Sequence, residues 1–153
     1  MDYRFLLPKA IEMAAKAHGN VMNKDGSPYI LHPLRLMMKA EGYADKIVAV
    51  LHDTLEDTSL TAECLVDEGF SAEIIKAIEA VTKREGEDYE AFIERIALNA
   101  LAVRVKLLDL YDNIDVTRLP ELGEWELERT AKYHRAIKRL KQTLTAEPSA
   151  TCY

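Results

Sequence analysis

The stretch LHDTLEDT, Leu51 to Thr58, sets His52, Asp53, Glu56 and Asp57 inside an otherwise apolar segment. On an α-helix, side chains four apart share a face. His52 would then sit over Glu56, Asp53 would sit over Asp57, and the two rows adjoin. The neighbours Ile47, Val48, Val50, Leu51 and Leu55 need apolar partners, which draws the polar quartet toward the core. Ionised carboxylates held partly out of water are costly unless positive charge compensates them. A divalent cation is one such compensation.

Two further segments supply matching groups. YILHP puts His32 just before a proline able to open a helix, and KLLDLYDNID puts Asp109 inside a very apolar segment with Asn113 one turn later. His32, His52, Asp53 and Asp109 would form a site of two imidazoles and two carboxylates. That donor mixture suits Mn²⁺, Fe²⁺ or Zn²⁺ better than Ca²⁺. On an ion that prefers more than four ligands, room remains for water and a substrate oxygen. Taken singly, each feature has an ordinary explanation: a buried histidine is commonly a hydrogen-bonded core residue, and a lone Asp in an apolar helix commonly caps or pairs. Their joint occurrence in three segments is what points to chemistry.

These groups need elements to position them, and helical periodicity dominates the chain. Phe5 to Ala17 reads as a helix that His18-Gly19 ends, followed by a turn-rich loop, NKDGSP, from Asn23 to Pro28. Pro33 opens the next helix and Gly42 ends it. A helix from about Ala44 through LHDTLEDT comes next, then Thr61 to Glu68 and Ser71 to Val81, each with a capping hydroxyl. After the polar REGEDY linker come Asp88 to Ile96, Leu98 to Ile114 and, beyond Pro120 and Gly123, a long amphipathic helix from Glu124 to Leu144. No alternation bounded by hairpin turns is present. The expected fold is all-α, a single domain over residues 1–146 with about seven or eight helices, and a flexible tail over 147–153.

Composition narrows the partners. The formal net charge is −6, which argues against nucleic acid or an anionic membrane surface as a partner. An anionic small molecule stays open, because a metal ion and a few local lysines can reverse the sign inside one cleft. No signal pattern or bilayer-length apolar run is present, so a cytoplasmic protein is expected. Cys64 and Cys152 stand far apart in no paired motif. Cys64 is expected to be a small core residue. The helix from Glu124 could serve a homo-oligomer interface as well as the core.

The order His … His-Asp … Asp on helices resembles the HD-domain metal-dependent phosphohydrolases. KDGSPYILHP (Lys24 to Pro33), LHDTLEDT, EAVTK (Glu79 to Lys83) and VKLLDLYDNID (Val105 to Asp115) are similar to the hydrolase domain of the Rel/Spo family, in the same order from about Ala10 to Ile114. The resemblance implies an HD-type helical fold and removal of the 3′-pyrophosphate from guanosine tetra- or pentaphosphate (ppGpp and its pentaphosphate). It implies His32, His52, Asp53 and Asp109 as ligands of a divalent metal, usually Mn²⁺. Glu56 and Asp57 would work on the attacking water and the leaving phosphate. Lys24 would meet phosphate, Asn113 would line the nucleotide site, and Tyr29 would support the loop. The remaining length leaves no room for a synthetase domain, so the stand-alone small alarmone hydrolases are the nearest comparison. Asn23 stands where the family usually has arginine, and Asp112 where it often has a basic residue or histidine.

Two other readings keep their place. One retains the metal chemistry on another nucleotide or phosphoester. The other is a non-catalytic module that binds a nucleotide without turning it over; the full set of ligands and acids counts against it.

Overall fold

The computed structural model describes residues 1–146. Among them nine α-helical segments follow one another: α1 Leu7–His18, α2 Leu31–Lys39, α3 Tyr43–Leu51, α4 Thr54–Asp57, α5 Ala62–Asp67, α6 Ala72–Ala80, α7 Tyr89–Ile96, α8 Ala100–Asn113 and α9 Glu124–Thr145. No strand occurs among the described residues, only an isolated antiparallel bridge between Met22 and Pro28. The tail expected at 147–153, with Cys152, lies outside the described residues.

Helix α3 is central because the second half of its sequence has no outward side. Ile47, Val48, Ala49, Val50 and Leu51 are all fully buried, as a helix apolar all round must be. With α1, α2, α5 and α6 it builds one apolar cluster, to which α8 contributes Leu101 and Val105. The opposite side of α8 supplies Ala102, Val103, Leu107 and Leu110 to a second cluster with α7 and α9. Each fully buried Leu or Ile stabilises the fold by about 1.5–3 kcal/mol. Helix α8 therefore cannot turn without breaking both clusters, and Asp109, Asp112 and Asn113 at its C-terminal end are held accordingly. A two-pronged Arg104–Asp45 pair, at 2.9 and 2.8 Å, ties α8 to α3. On α9, Ala136, Ile137 and Leu140 face the second cluster, so part of its apolar side is core.

One expected helix is broken. The segment anticipated as continuous from Ala44 through Thr58 splits after Leu51 into α3 and the four-residue α4. Side chains take the carbonyls that the ladder needs: His52 Nδ1 donates to Ala49 O at 2.7 Å and Thr54 Oγ1 to Leu51 O at 2.7 Å. Such local bonds compete with helical ones. The break separates the quartet by burial. His52 is 1% exposed and Asp53 half-buried, whereas Glu56 and Asp57 are the more open members of the quartet, only partly shielded where they line a cavity.

Cys64 also departs from expectation. It is half-buried, its backbone N–H bonded to Thr61 Oγ1 at the start of α5, while Leu65 takes the core place beside it.

The loop between α1 and α2 begins at Gly19, whose φ of 53° is the left-handed conformation that ends many helices and that glycine adopts without penalty. Asn23 N–H donates to Ser27 O and Tyr29 N–H to Val21 O, both at 2.8 Å. These bonds fold the loop back on itself, with the Tyr29 hydroxyl on Asp53 and the Lys24 ammonium over the Trp125 ring.

Candidate active site

Three parts of the chain meet where α3 breaks. His32 comes from the first turn of α2, His52 and Asp53 from the break, and Asp109 from α8. His32 Nε2 lies 3.0 Å from Asp109 Oδ1 and 4.0 Å from Asp53 Oδ2. His52 Nε2 lies 3.0 Å from Asp53 Oδ2 and 3.5 Å from Asp109 Oδ1. Ligand atoms of His32, His52 and Asp109, all buried, fall within 4.8 Å of one another. Asp53 joins them through its contact with His52.

His52 tests whether a cation suits this cluster. Its Nδ1 bond to Ala49 O requires a proton on Nδ1, because a carbonyl only accepts. In the neutral ring Nε2 is then a bare lone pair. That atom is buried and aligned for a hydrogen bond to no neighbour, although two carboxylate oxygens face it. Lone pairs converging on one point repel unless positive charge lies between them. With the chain's own atoms alone, burial opposes charge on His52, yet the carboxylates of Asp53 and Asp109 raise its pKa well above the ordinary imidazole value. The site calls for a positive centre, and imidazole with carboxylate is a donor set for a divalent transition metal.

The next ring of residues orients these side chains. Asp112 Oδ2 is 2.6 Å from His32 Nδ1, which leaves Nε2 to face the cluster. Arg35 clamps Asp112 through Nε and Nη2, each at 2.9 Å, and Arg118 also approaches it, at 3.3 Å. Despite burial, His32 and Arg35 hold the Asp112 carboxyl far below the usual carboxylate range. Asp109 Oδ2 accepts from Lys106 Nζ at 2.7 Å, and its Oδ1 from Asn113 Nδ2 at 2.8 Å. Tyr29 donates its hydroxyl to Asp53, and its ring lies between His18 and His32.

A cavity of about 740 Å³ opens from this cluster. Glu56 and Asp57 line it, as do Lys24 and Asn113. Partial burial, then the charges of Asp57 and Asp53, push the Glu56 pKa up; burial and Asp53 do the same for Asp57. Lys106 also lines this cavity, whereas Lys132 and Arg135 line a separate depression along α9. Acidic side chains outnumber basic ones along the wall. A polyanion entering it therefore depends on added positive charge.

Several wall residues were not foreseen. Arg35 stands one turn after His32 and could have been found by that spacing. Trp125, Arg129 and Tyr133 arrive from α9, which is remote in sequence, and only packing brings them to the cavity.

No family profile matches the chain. The chain is 38% identical over 120 residues to the guanosine-3′,5′-bis(diphosphate) 3′-pyrophosphohydrolase of Aquifex aeolicus, covering 71% of this chain and 17% of that protein. It is 31% identical over 140 residues to the GTP pyrophosphokinase rsh of Brucella ovis, covering 89% and 18%. The chain thus spans under a fifth of the length of these curated relatives. Among solved structures, a protein described as a metazoan ortholog of SpoT that hydrolyses ppGpp has the same fold, with a TM-score of 0.71 at 21% identity, over 92% of this chain and 85% of that one. By sequence along most of its length and by its all-helical fold, this chain belongs to the Rel/Spo family of HD-domain proteins.

Proposed function

We propose that the chain is a divalent-metal-dependent phosphohydrolase that releases pyrophosphate from the 3′ position of guanosine tetra- or pentaphosphate, or of a closely related nucleotide. In this reading it works in the cytoplasm with Mn²⁺, through one domain over residues 1–146. The observation that carries the reading is the His52 ring, whose Nδ1 is committed to a carbonyl while its buried Nε2 faces two carboxylates.

His32, His52, Asp53 and Asp109 hold the ion. When bound, the ion acidifies water and draws charge from a phosphoryl oxygen. Glu56 orients the attacking water and takes its proton. Its raised pKa brings it closer to neutral pH, where a general base is most effective. Asp57 keeps a carboxylate beside the leaving phosphate. Lys106, anchored on Asp109, and Lys24 at the rim neutralise phosphate charge. Asn113 steadies Asp109 through one amide hydrogen and lines the nucleotide pocket. Phosphoryl chemistry of this kind rests mainly on positioning and charge stabilisation, which is the work these fixed side chains do.

The test is a screen of phosphorylated nucleotides with Mn²⁺ added and products identified by chromatography. Pyrophosphate leaving the 3′ position of guanosine tetraphosphate establishes the reading. Orthophosphate released from a simple monophosphate instead moves the chain to a different phosphoester. Absence of turnover with metal bound leaves a binding module.

A further inference from the structure

The cavity wall carries aromatic rings as well as charges. Besides the His32 imidazole, three rings line it: Tyr29, Tyr133 and Trp125. Tyr29 is boxed in, with His18 and His32 at 4.9 and 5.8 Å and its hydroxyl given to Asp53. Tyr133 is half-buried against Tyr89 at 6.2 Å. Trp125 alone of the three is open, at 55% exposure.

Trp125 is also held in place. It lies in the first turn of α9, where Glu126 accepts from Gly123 N–H at 3.0 Å and so secures the helix start. Arg129, four residues on and on the same helix face, sets its guanidinium 5.3 Å from the indole centroid. From across the cavity Lys24 sets its ammonium 5.0 Å from that centroid. Among the described residues Lys24 makes no ion pair, so the ring is where its charge rests. The residue before it offers no flat surface: Asn23 turns its amide into its own loop, onto Ser27 Oγ at 3.2 Å.

We propose that Trp125 is the stacking surface for the nucleobase of the substrate, and that the base takes the place over the indole that Lys24 holds in the free protein. The inference rests on the nucleotide reading above and adds to it the residue that recognises the base. An indole face binds cations and flat heteroaromatic rings by related forces, one by its quadrupole and the other by stacking and desolvation. Displacing Lys24 from the ring releases an ammonium at the rim of the same cavity, where the phosphates of the incoming nucleotide need one. Stacking reads every base by its π-face. The residue therefore selects for a heteroaromatic group, leaving the identity of the base to other contacts.

The chain has a single tryptophan, so emission excited at the red edge of the absorption band, where tyrosine does not absorb, reports on Trp125 alone. GDP, which has a base and a diphosphate but no 3′ group to lose, is the probe, and inorganic pyrophosphate is the control. Titrating the full chain with GDP in the presence of Mn²⁺ should quench the emission saturably, and pyrophosphate should not. Replacing Trp125 by alanine should raise KM for guanosine tetraphosphate roughly five- to 150-fold, the range expected for one lost base–aromatic stack. It should leave kcat little changed, and Trp125→Phe should restore most of the affinity. A ring that merely straps the loop to α9 would lower Tm when truncated and leave KM alone. Unchanged emission with GDP while the enzyme turns over guanosine tetraphosphate overturns the inference and leaves the hydrolase reading standing. Equal quenching by pyrophosphate also overturns it, since the ring would then report only the loss of Lys24. Quenching by GDP without any turnover upholds the stacking role and removes the hydrolase reading.

Discussion

Asp112 Oδ2 sits 2.6 Å from His32 Nδ1, across 80 residues of sequence. That contact decides which nitrogen of His32 faces the cluster, and it makes the carboxylate at this position part of the site although it touches no candidate ligand atom. Outer carboxylates of this kind fix ring orientation and raise ligand basicity. Replacing Asp112 by alanine should weaken Mn²⁺ binding about 10- to 100-fold, read by titrating metal against activity and by calorimetry. Unaltered metal affinity in that variant would remove Asp112 from the site.

Glu56 should carry the acid limb of the pH profile. Its folded pKa is raised, by burial first and then by Asp57 and Asp53. As pH falls through that raised value Glu56 gains a proton and can no longer accept one, so the rate drops at a pH above the ordinary glutamate range. Glu56→Gln should lower kcat by about 10²–10⁴-fold, the typical worth of a positioned base, and should abolish this limb while metal stays bound. A variant that keeps the wild-type profile would exclude the role.

Removing the ion should cost both activity and stability. A ligand that binds only the folded state stabilises it by about 2.7 kcal/mol at a hundredfold excess over Kd. For a chain of this size that is a rise in Tm of roughly 5–10 °C. Mn²⁺ added after chelation should restore this shift in the wild type and fail to do so in His52→Ala. Differential scanning calorimetry measures it, and an equal shift in both proteins would place the metal elsewhere.

Arg95 should matter for stability without touching the cavity. Its guanidinium donates to the carbonyls of Glu79, Ala80 and Thr82 at 3.2, 3.3 and 2.7 Å and to both oxygens of Glu87. It thereby closes the end of α6 and the loop after it. Arg95→Ala should cost about 2 kcal/mol, seen in denaturant unfolding. Arg95 holds the Glu87 carboxyl down at about 2. Because the folded pKa is depressed, the pair contributes above the ordinary glutamate value of 4.5 and is lost as pH falls from there toward about 2. In Arg95→Ala, Glu87 should titrate near its ordinary value by NMR.

Much of the architecture is a local matter and could be read in one dimension. Helices α1, α6, α7 and α9 lie close to where apolar spacing and capping residues put them, because both signals act within a turn or two of backbone. The same locality explains the one misjudged helix. The break after Leu51 arises from two side chains bonding carbonyls that sequence spacing assigns to the ladder, and residue types alone do not say which partner wins.

By itself the sequence determined the all-helical class and the residue types available for chemistry: imidazoles at His32 and His52, carboxylates at Asp53, Glu56, Asp57 and Asp109. Only the tertiary structure decided their company. The Asp112 hold on His32, the meeting of Asp109 with His32 and that of Lys24 with Trp125 join segments far apart along the chain. Such contacts form only once α8 is wedged between two apolar clusters, and that packing is a property of the whole chain that no short window of residues encodes.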